Sequence, residues 1–496
     1  MGPTLENRSA QFREILSTFN PEKIPFIGKL FGNIGLAVVL NFVVKTAWIL
    51  LNNQVQDEIG HSAFGTYTAL YALGFLFIAF SDFGLNQFAT RSLAGNPAKM
   101  GEMFPLLLSI KIILLFAYPV FMVGVGAALG YEGNELWYLA ILCFAQGMTQ
   151  MIFLFRAGFQ AFQLFRIDAV ASVIDRAILL LIIGGLMLGN QISLDSFIWA
   201  GLLSVAISMV ILYFFVLRIF GWHKPAFAKN AIFSLLKESL PFALITLLYS
   251  MNDKIDQVML ERIRDSHETG LYAGAYRWVD AVMMFLWTIL PVFFARFAHL
   301  KQDTFAQKKL LDTGQVIVAL PMIFISVFVF FFGDKLLFLF KHSTDEELAT
   351  INQCLRILFF SVGVNGVFAI FSTLLTATGY EKFVSRMIFG SILISLVLNF
   401  IFIPQYGAIA SSWITLVTYV FLSCGYVIFI SRNLAVSVPW ENLGKLAGAT
   451  LITGGIFYLA SFSELNWLLV SFLAGIGLFL YAWISGLVKL VLDGIK

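Results

Sequence analysis

The sequence predicts an all-α polytopic membrane protein of about 14 transmembrane helices, and three observations predict it. Hydrophobic residues fill 59% of the 496 positions and charged residues only 12%, with mean hydropathy +0.86. Soluble chains carry about 25% charged residues, so a surface this apolar is one solvated by lipid. The apolar residues fall in runs of about 20, the length that crosses roughly 30 Å of hydrocarbon at 1.5 Å rise per residue. Finally, the basic residues alternate between the loops that these runs define.

Backbone polar groups in lipid must be satisfied within the segment, and the alternating pattern of barrel strands is absent, so the runs are helices. Spans are expected at 33–52, 64–89, 103–129, 136–155, 168–188, 196–217 and 239–260. The second half gives 270–295, 312–333, 355–378, 384–404, 408–430, 443–462 and 466–488. With the N-terminus in the cytoplasm, the outer loops after spans 1, 3, 5, 11 and 13 hold no Lys or Arg. They carry Asp57, Glu58, Glu132, Glu135, Asp195 and Glu464 instead. The other two outer loops hold five basic residues (Arg262, Arg264, Lys335, Lys341, Arg356), against 22 of the 32 in the cytoplasmic segments. Miscounting one span would scramble every later loop, so both termini are expected in the cytoplasm. Residues 1–30 are polar and of mixed charge, a cytoplasmic or interfacial segment rather than a secretory signal. Within it, Phe19 to Phe31 with Pro21 and Pro25 reads as a short interfacial stretch leading into the first span.

Spans 2 and 8 begin alike. Gly65/Gly270, Tyr67/Tyr272, Tyr71/Tyr276, Leu85/Leu290, Phe88/Phe293 and Arg91/Arg296 match at one gap-free offset of 205 residues, which equals six spans. An even number of spans keeps the two copies parallel, so the axis relating them is expected along the membrane normal. The architecture is then two six-helix bundles, 31–220 and 221–433, related by that two-fold, with an appended helix pair at 434–496.

Ten charged residues lie inside the spans: Lys45, Asp82, Lys111, Asp175, Arg176, Asp253, Lys254, Asp256, Arg277 and Asp280. A charge facing lipid at a helix centre costs at least about 2.5–3.5 kcal/mol, so these should face a cavity or one another. Lys111 lies near enough to the cytoplasmic end of span 3 to snorkel, and Asp82 suits a cap. Lys45, with Asn41 one turn below, occurs in span 1 at the depth of Asn252 to Asp256 in span 7 and of Arg277 and Asp280 in span 8. A polar cavity between the bundles accounts for that shared depth, with Asp175 and Arg176 lining its cytoplasmic half. Five acids against five bases also allow internal pairing that only staples helices together.

The net charge of +3 and the lack of a basic run with interleaved aromatics argue against nucleic acid. Cys143, Cys354 and Cys424 are widely spaced in apolar surroundings, as small buried hydrophobes are. No Zn-type spacing, GxxxxGK[ST] or HExxH occurs, so no metal or cofactor is expected.

Several motifs resemble, in order and spacing, the polysaccharide transporter (Wzx-like oligosaccharide flippase) branch of the multidrug/oligosaccharidyl-lipid/polysaccharide exporter superfamily. They are the run Ser62 to Tyr67, Asp82 to Leu85 followed by Arg91, Ser239 to Phe242, Asp253 to Leu260, and Gly270 to Tyr276. Ala377 to Lys382 and Asn399 to Gly407 continue the likeness across most of the chain. The resemblance implies a bacterial cytoplasmic-membrane flippase, not an enzyme, that moves undecaprenyl-diphosphate-linked oligosaccharide to the outer leaflet by alternating access. Asn41, Lys45, Arg176, Lys254 and Arg277 would then contact diphosphate or sugar. Asp175, Asp253, Asp256 and Asp280 would tune them or accept H⁺ or Na⁺ as coupling ion. Tyr249, Tyr276, Trp278 and Trp287 are placed to stack on sugar or to pack, and spans 13 and 14 to hold the polyprenyl tail. Implied partners are the lipid-linked oligosaccharide, the bilayer, and polysaccharide polymerase and chain-length machinery.

The sequence departs from simple anion capture in one respect: the expected cavity is nearly charge-balanced. A multidrug exporter of the same superfamily is the nearest alternative, although span 1 carries Lys45 and no acid. A membrane-embedded polymerase or glycosyltransferase is the alternative of another class. The longest outer connection, about 20 residues at 334–354, is short for sugar chemistry.

Overall fold

A computed structural model describes the backbone of residues 26–95, 100–162, 164–221, 225–300, 303–462 and 466–495. Within helices, the side chains at 26–39, 42, 45, 91, 94, 95, 165, 295, 494 and 495 lie outside the described residues. Those positions include Lys45 and Arg91.

The described residues form helices and no strand. Eleven helices are long and apolar enough to cross a membrane. One of them, Glu381–Asn433, turns at Gly407 and supplies two spans, 11 and 12. Span 1, Phe26–Ile59, and the broken run of span 2 from His61 to Gly95 complete the fourteen. Helices outrun the apolar stretches that announce them: span 7 covers Lys229–Ile263 and span 8 Ser266–His299. The helix of span 1 already begins at Phe26, so the second half of the expected interfacial stretch is part of that span; residues 19–25 lie outside the described residues. Large apolar side chains face outward, among them Val120, Leu181, Phe400 and Leu451, each more than 70% exposed. That outward face is the surface lipid solvates. Below, "outer" names the end of the molecule that the distribution of basic residues assigns to the cell exterior.

The repeat seen in the sequence reappears as a contact. A Cβ on Gly65 would overlap the Ser266 carbonyl, and a Cβ on Gly270 would overlap the His61 carbonyl. The two contacts are reciprocal at the offset of 205 residues, which is what a two-fold between parallel helices produces. Glycine is required here because only a missing side chain lets two helix backbones approach this closely. The Thr66 hydroxyl donates to the Ser266 hydroxyl at 3.1 Å beside the crossing. The repeated tyrosines stack within each half, Tyr67 on Tyr71 at 6.0 Å and Tyr272 on Tyr276 at 5.5 Å between ring centroids.

Backbone breaks shape the bundles. Span 2 is interrupted at Phe83 and Gly84, both left-handed (φ 51° and 72°). Gly84 rests on span 7, where a Cβ would come within 2.6 Å of the Ser239 carbonyl and the Ala243 nitrogen. The sharp turn between spans 11 and 12 places Gly407 at φ 53°, and span 8 clamps it. Glu268 accepts from the Ala408 N–H at 2.8 Å, a carboxylate at a helix N-terminus, where the backbone dipole favours it. Arg264 donates to the Pro404 carbonyl at 3.0 Å, capping the helix that ends there. The motif from Asn399 to Gly407 is thus a turn with its own tether.

Candidate functional site

Four of the five intramembrane charges of the C-terminal half gather in one nest. Lys254 of span 7 lies 3.4 Å from Asp253 and 3.5 Å from Asp280 of span 8, with its ammonium 4.5 Å above the Tyr276 ring. Tyr276 donates its hydroxyl to Asp253 at 3.2 Å. One turn further out, Asp256 is buried, accepts the Tyr272 hydroxyl and the Gln257 N–H, and is next to Thr415 of span 12, which lies 3.3 Å from that same hydroxyl. Asn252, Asp253, Asp256, Tyr276, Ser395, Thr415, Thr418 and Tyr419 are among the residues around a cavity of about 20 Å³. That is room for one water-sized occupant. Three carboxylates against one ammonium, with hydroxyl and amide oxygens beside them, make this nest acidic and oxygen-rich. Asn399 adds a buried Oδ1 with no partner among the described residues, while its amide donates to Ser395 at 2.9 Å.

Arg277 stands apart from the nest. Its Nη1 donates to Asn53 Oδ1 of span 1 at 2.7 Å, and its Nε to the Ala273 carbonyl at 3.2 Å. The guanidinium lies 4.2 Å above the Phe64 ring of span 2. Among the described residues no carboxylate comes within ion-pair distance of it, and its Nη2 is buried without a partner. Both of its contacts in the other half are neutral groups.

Arg176 in the N-terminal half is partly exposed, lies 3.7 Å from Asp175, stacks at 5.4 Å on Trp48 and hydrogen-bonds Tyr71. Trp48 and Tyr71 belong to the outer parts of spans 1 and 2. The structure therefore sets Arg176 near mid-membrane, higher than the cytoplasmic half in which the sequence put it. Span 5 is built of two helices, Phe165–Ala171 and Ile174–Leu188, and Arg176 lies in the first turn of the second, its side chain reaching the outer part of span 1 at Trp48. Asn41 donates to the Ser172 hydroxyl at 2.9 Å, joining spans 1 and 5. The side chain of Lys45 lies outside the described residues.

Lys111 does not snorkel. It is 2% exposed and paired with Asp82, which also accepts the Asn86 N–H at 3.2 Å just past the break in span 2. This pair is internal to one half and touches neither Arg277 nor the nest.

Sequence reasoning missed the outer seam between the halves. Asn52, Asn53, Gln56 and His61 are all under 8% exposed. Gln56 donates to the Gly270 carbonyl at 2.7 Å and pairs with His61 Nδ1 at 2.7 Å, while His61 Nε2 meets the Ser343 hydroxyl at 2.8 Å. Asp57 receives the backbone N–H of His342 at 2.9 Å and its ring nitrogen at 2.9 Å. Tyr131, in the connection after span 3, donates to Glu261 at 2.7 Å; burial beside that carboxylate pushes the phenol pKa up, so the proton stays in place. Uncharged polar residues at a span end pass for an ordinary interface in sequence, and only the packing shows that they bridge the halves.

Two like halves of membrane-spanning helices, with buried charge where they meet, define a polytopic membrane protein of two-bundle architecture. The chain belongs to the polysaccharide biosynthesis protein family (Polysacc_synt), which it matches over residues 30–301. Residues 241–401 also match the MatE family. Its fold is similar to that of the lipid II flippase MurJ in an inward closed conformation (TM-score 0.72, 15% identity, 91% of this chain and 98% of that one). It is also similar to an inward-facing multidrug resistance MATE family transporter of the MOP superfamily (TM-score 0.64, 12% identity, 78% and 94%). At these identities the likeness is one of fold. The uncharacterized membrane protein MJ1375 of Methanocaldococcus jannaschii is 25% identical over 194 residues, 38% of this chain. The match takes in 44% of that relative, less than half its length.

Proposed function

We propose that the protein is a flippase for polyprenyl-diphosphate-linked oligosaccharide, carrying it from the cytoplasmic to the outer leaflet of a bacterial cytoplasmic membrane by alternating access. The observation that carries this reading is Arg277, a half-buried guanidinium between the halves that, among the described residues, has no acid within ion-pair distance and one donor without a partner. A diphosphate is the ligand whose geometry and charge suit such a fork. Arg176, stacked on Trp48, and Lys45 on span 1 supply further positive charge in the N-terminal half; Asn41 lies below them. Lys254 is engaged by two carboxylates, and in this reading it balances Asp253 and Asp280 and reaches cargo only when those contacts loosen. Both termini would face the cytoplasm, and polymerase and chain-length proteins would take the product. No covalent chemistry is required of the protein.

The coupling ion, H⁺ or Na⁺, would be taken at Asp256. The Tyr272 hydroxyl on its carboxylate and the Thr415 hydroxyl beside that one are oxygen groups, the ligands a hard cation prefers, and a buried carboxylate is equally a proton acceptor. Asp256→Asn keeps the hydrogen bond to Tyr272 but removes the charge. It is expected to abolish the dependence of transport on an imposed ion gradient and to slow net flipping at least tenfold. Retained gradient dependence in that variant rules out Asp256.

The overall reading is tested in proteoliposomes with a fluorescent polyprenyl-diphosphate disaccharide: protein-dependent exposure of the label to an external quencher is the expected result. The match to the MatE family over 241–401 favours a second reading, export of cationic drugs through the acidic nest. Protein-driven transport of a lipophilic dye cation, with the labelled lipid left in its original leaflet, would establish that reading instead.

A further inference from the structure

Alternating access requires the two halves to part at the outer seam, and the bonds across that seam set how readily they do. Most are made at its outer rim, between Asp57 and His342, His61 and Ser343, and Tyr131 and Glu261. Two lie deeper: the Ser250 hydroxyl of span 7 donates to the Leu76 carbonyl of span 2 at 2.9 Å, and Asn53 of span 1 accepts from Arg277 of span 8. Of these two the second carries a charge, and its components are mismatched. Asn53 is fully buried and its Nδ2 has no partner among the described residues. Arg277 Nη2, beside the bonded Nη1, likewise has none. An amide has one oxygen to offer a guanidinium that presents two parallel donors, so the pair is half satisfied. A carboxylate at position 53 would satisfy both donors. A buried donor left unpaired costs a closed state roughly 5- to 150-fold in its equilibrium, and opening to water removes that cost.

We propose that Asn53 is the latch of the outer seam, holding Arg277 of the other half through one hydrogen bond to a neutral amide oxygen that an anionic cargo group breaks by taking the guanidinium for itself. The latch stands on the contact alone; only the identity of the competitor rests on the flippase reading. The free Nη2 gives a phosphate oxygen its first hold while Nη1 is still bound to Asn53. A second phosphate contact then replaces the amide, since a phosphate holds a guanidinium through two parallel bonds and an opposite charge, where the amide offers one neutral oxygen. Cargo binding and release of the outer seam thereby become one event at one side chain.

The test measures the distance across the seam by pulsed electron spin resonance, with labels at Glu58→Cys and Glu346→Cys in lipid nanodiscs and Cys424→Ser as background. Asn53→Ala removes the latch and should raise the open fraction about fivefold or more without any ligand. Asn53→Asp supplies the missing oxygen and a charge, and should lower the open fraction about tenfold. Opposite shifts at one position are not a signature of misfolding. In the unsubstituted chain, a sugar-free polyprenyl diphosphate should widen the distance, and Asn53→Asp should abolish that response. If the two variants move the seam in the same direction, or neither moves it, the latch is overturned. If they move it oppositely while the diphosphate leaves the unsubstituted chain unchanged, the latch stands and the anionic cargo is excluded.

Discussion

Arg277→Ala is expected to lose transport of a lipid-linked diphosphate almost completely while keeping its fold. The side chain donates two hydrogen bonds to neutral acceptors and lies over Phe64, and its removal leaves no carboxylate unpaired among the described residues, so the fold is expected to survive the loss. What disappears is a seam cation that, among the described residues, no carboxylate pairs. A charge-assisted hydrogen bond is worth about 1.5–3 kcal/mol, so cargo affinity should fall roughly 10- to 150-fold. Arg277→Lys keeps the charge but not the fork, and should retain a minor fraction of the activity because a point ammonium cannot hold two oxygens in one plane. Affinity for the labelled lipid, read by quenching of tryptophan fluorescence, and initial flipping rate in proteoliposomes check both variants. Wild-type affinity in Arg277→Ala would remove the site from consideration. Because the same substitution frees Asn53, the outer seam should open more often in this variant even though cargo no longer binds.

The fold was legible in the sequence to the extent that lipid imposes it. Span number follows from apolar length, and the repeat follows from matches that include Gly65 and Gly270. The structure gives those two glycines their reason, the close crossing of spans 2 and 8. Helix ends were less legible, because a helix continues past the hydrocarbon wherever its next residues tolerate it, as Lys229 to Glu238 do before the apolar part of span 7. The break at Phe83 and Gly84 looked like part of an uninterrupted span, since apolar length carries no information about backbone sign.

For the charges inside the spans, the rule that a buried charge must find a partner or a cavity did not give their pairing. Asp253, Lys254 and Asp280 share depth with Arg277, yet the first three close on one another and leave the arginine to the opposite half. Helix rotation decides that outcome, and periodicity fixes rotation too loosely to separate positions 277 and 280. The neutral partners were invisible for another reason. Asn53 and Gln56 gain their meaning only from burial and from what faces them across 214 or more positions of sequence.

Lys111→Met should be among the most destabilising single changes in the protein, and its remedy should separate structural charge from functional charge. Lys111 and Asp82 are buried together between spans 2 and 3, with side chains 1% and 8% exposed. Removing one partner leaves an uncompensated carboxylate inside the bundle, which typically costs about 3–5 kcal/mol. Asp82 cannot relax toward water, because it also accepts the Asn86 N–H where span 2 restarts after its break. The double variant Lys111→Met, Asp82→Asn keeps that acceptor and removes both charges. A well-packed neutral pair is often as stable as the ion pair it replaces, so the thermal midpoint and the flipping rate should return close to wild type. Arg277 has no such remedy, since no acid pairs with it among the described residues. Unfolding curves in detergent, read beside transport for the single and double variants, decide the matter. A Lys111→Met protein of unchanged midpoint would mean that Asp82 is held by something other than its lysine. Recovery of stability without recovery of transport would instead move Asp82 and Lys111 from the scaffold into the machinery of the N-terminal half.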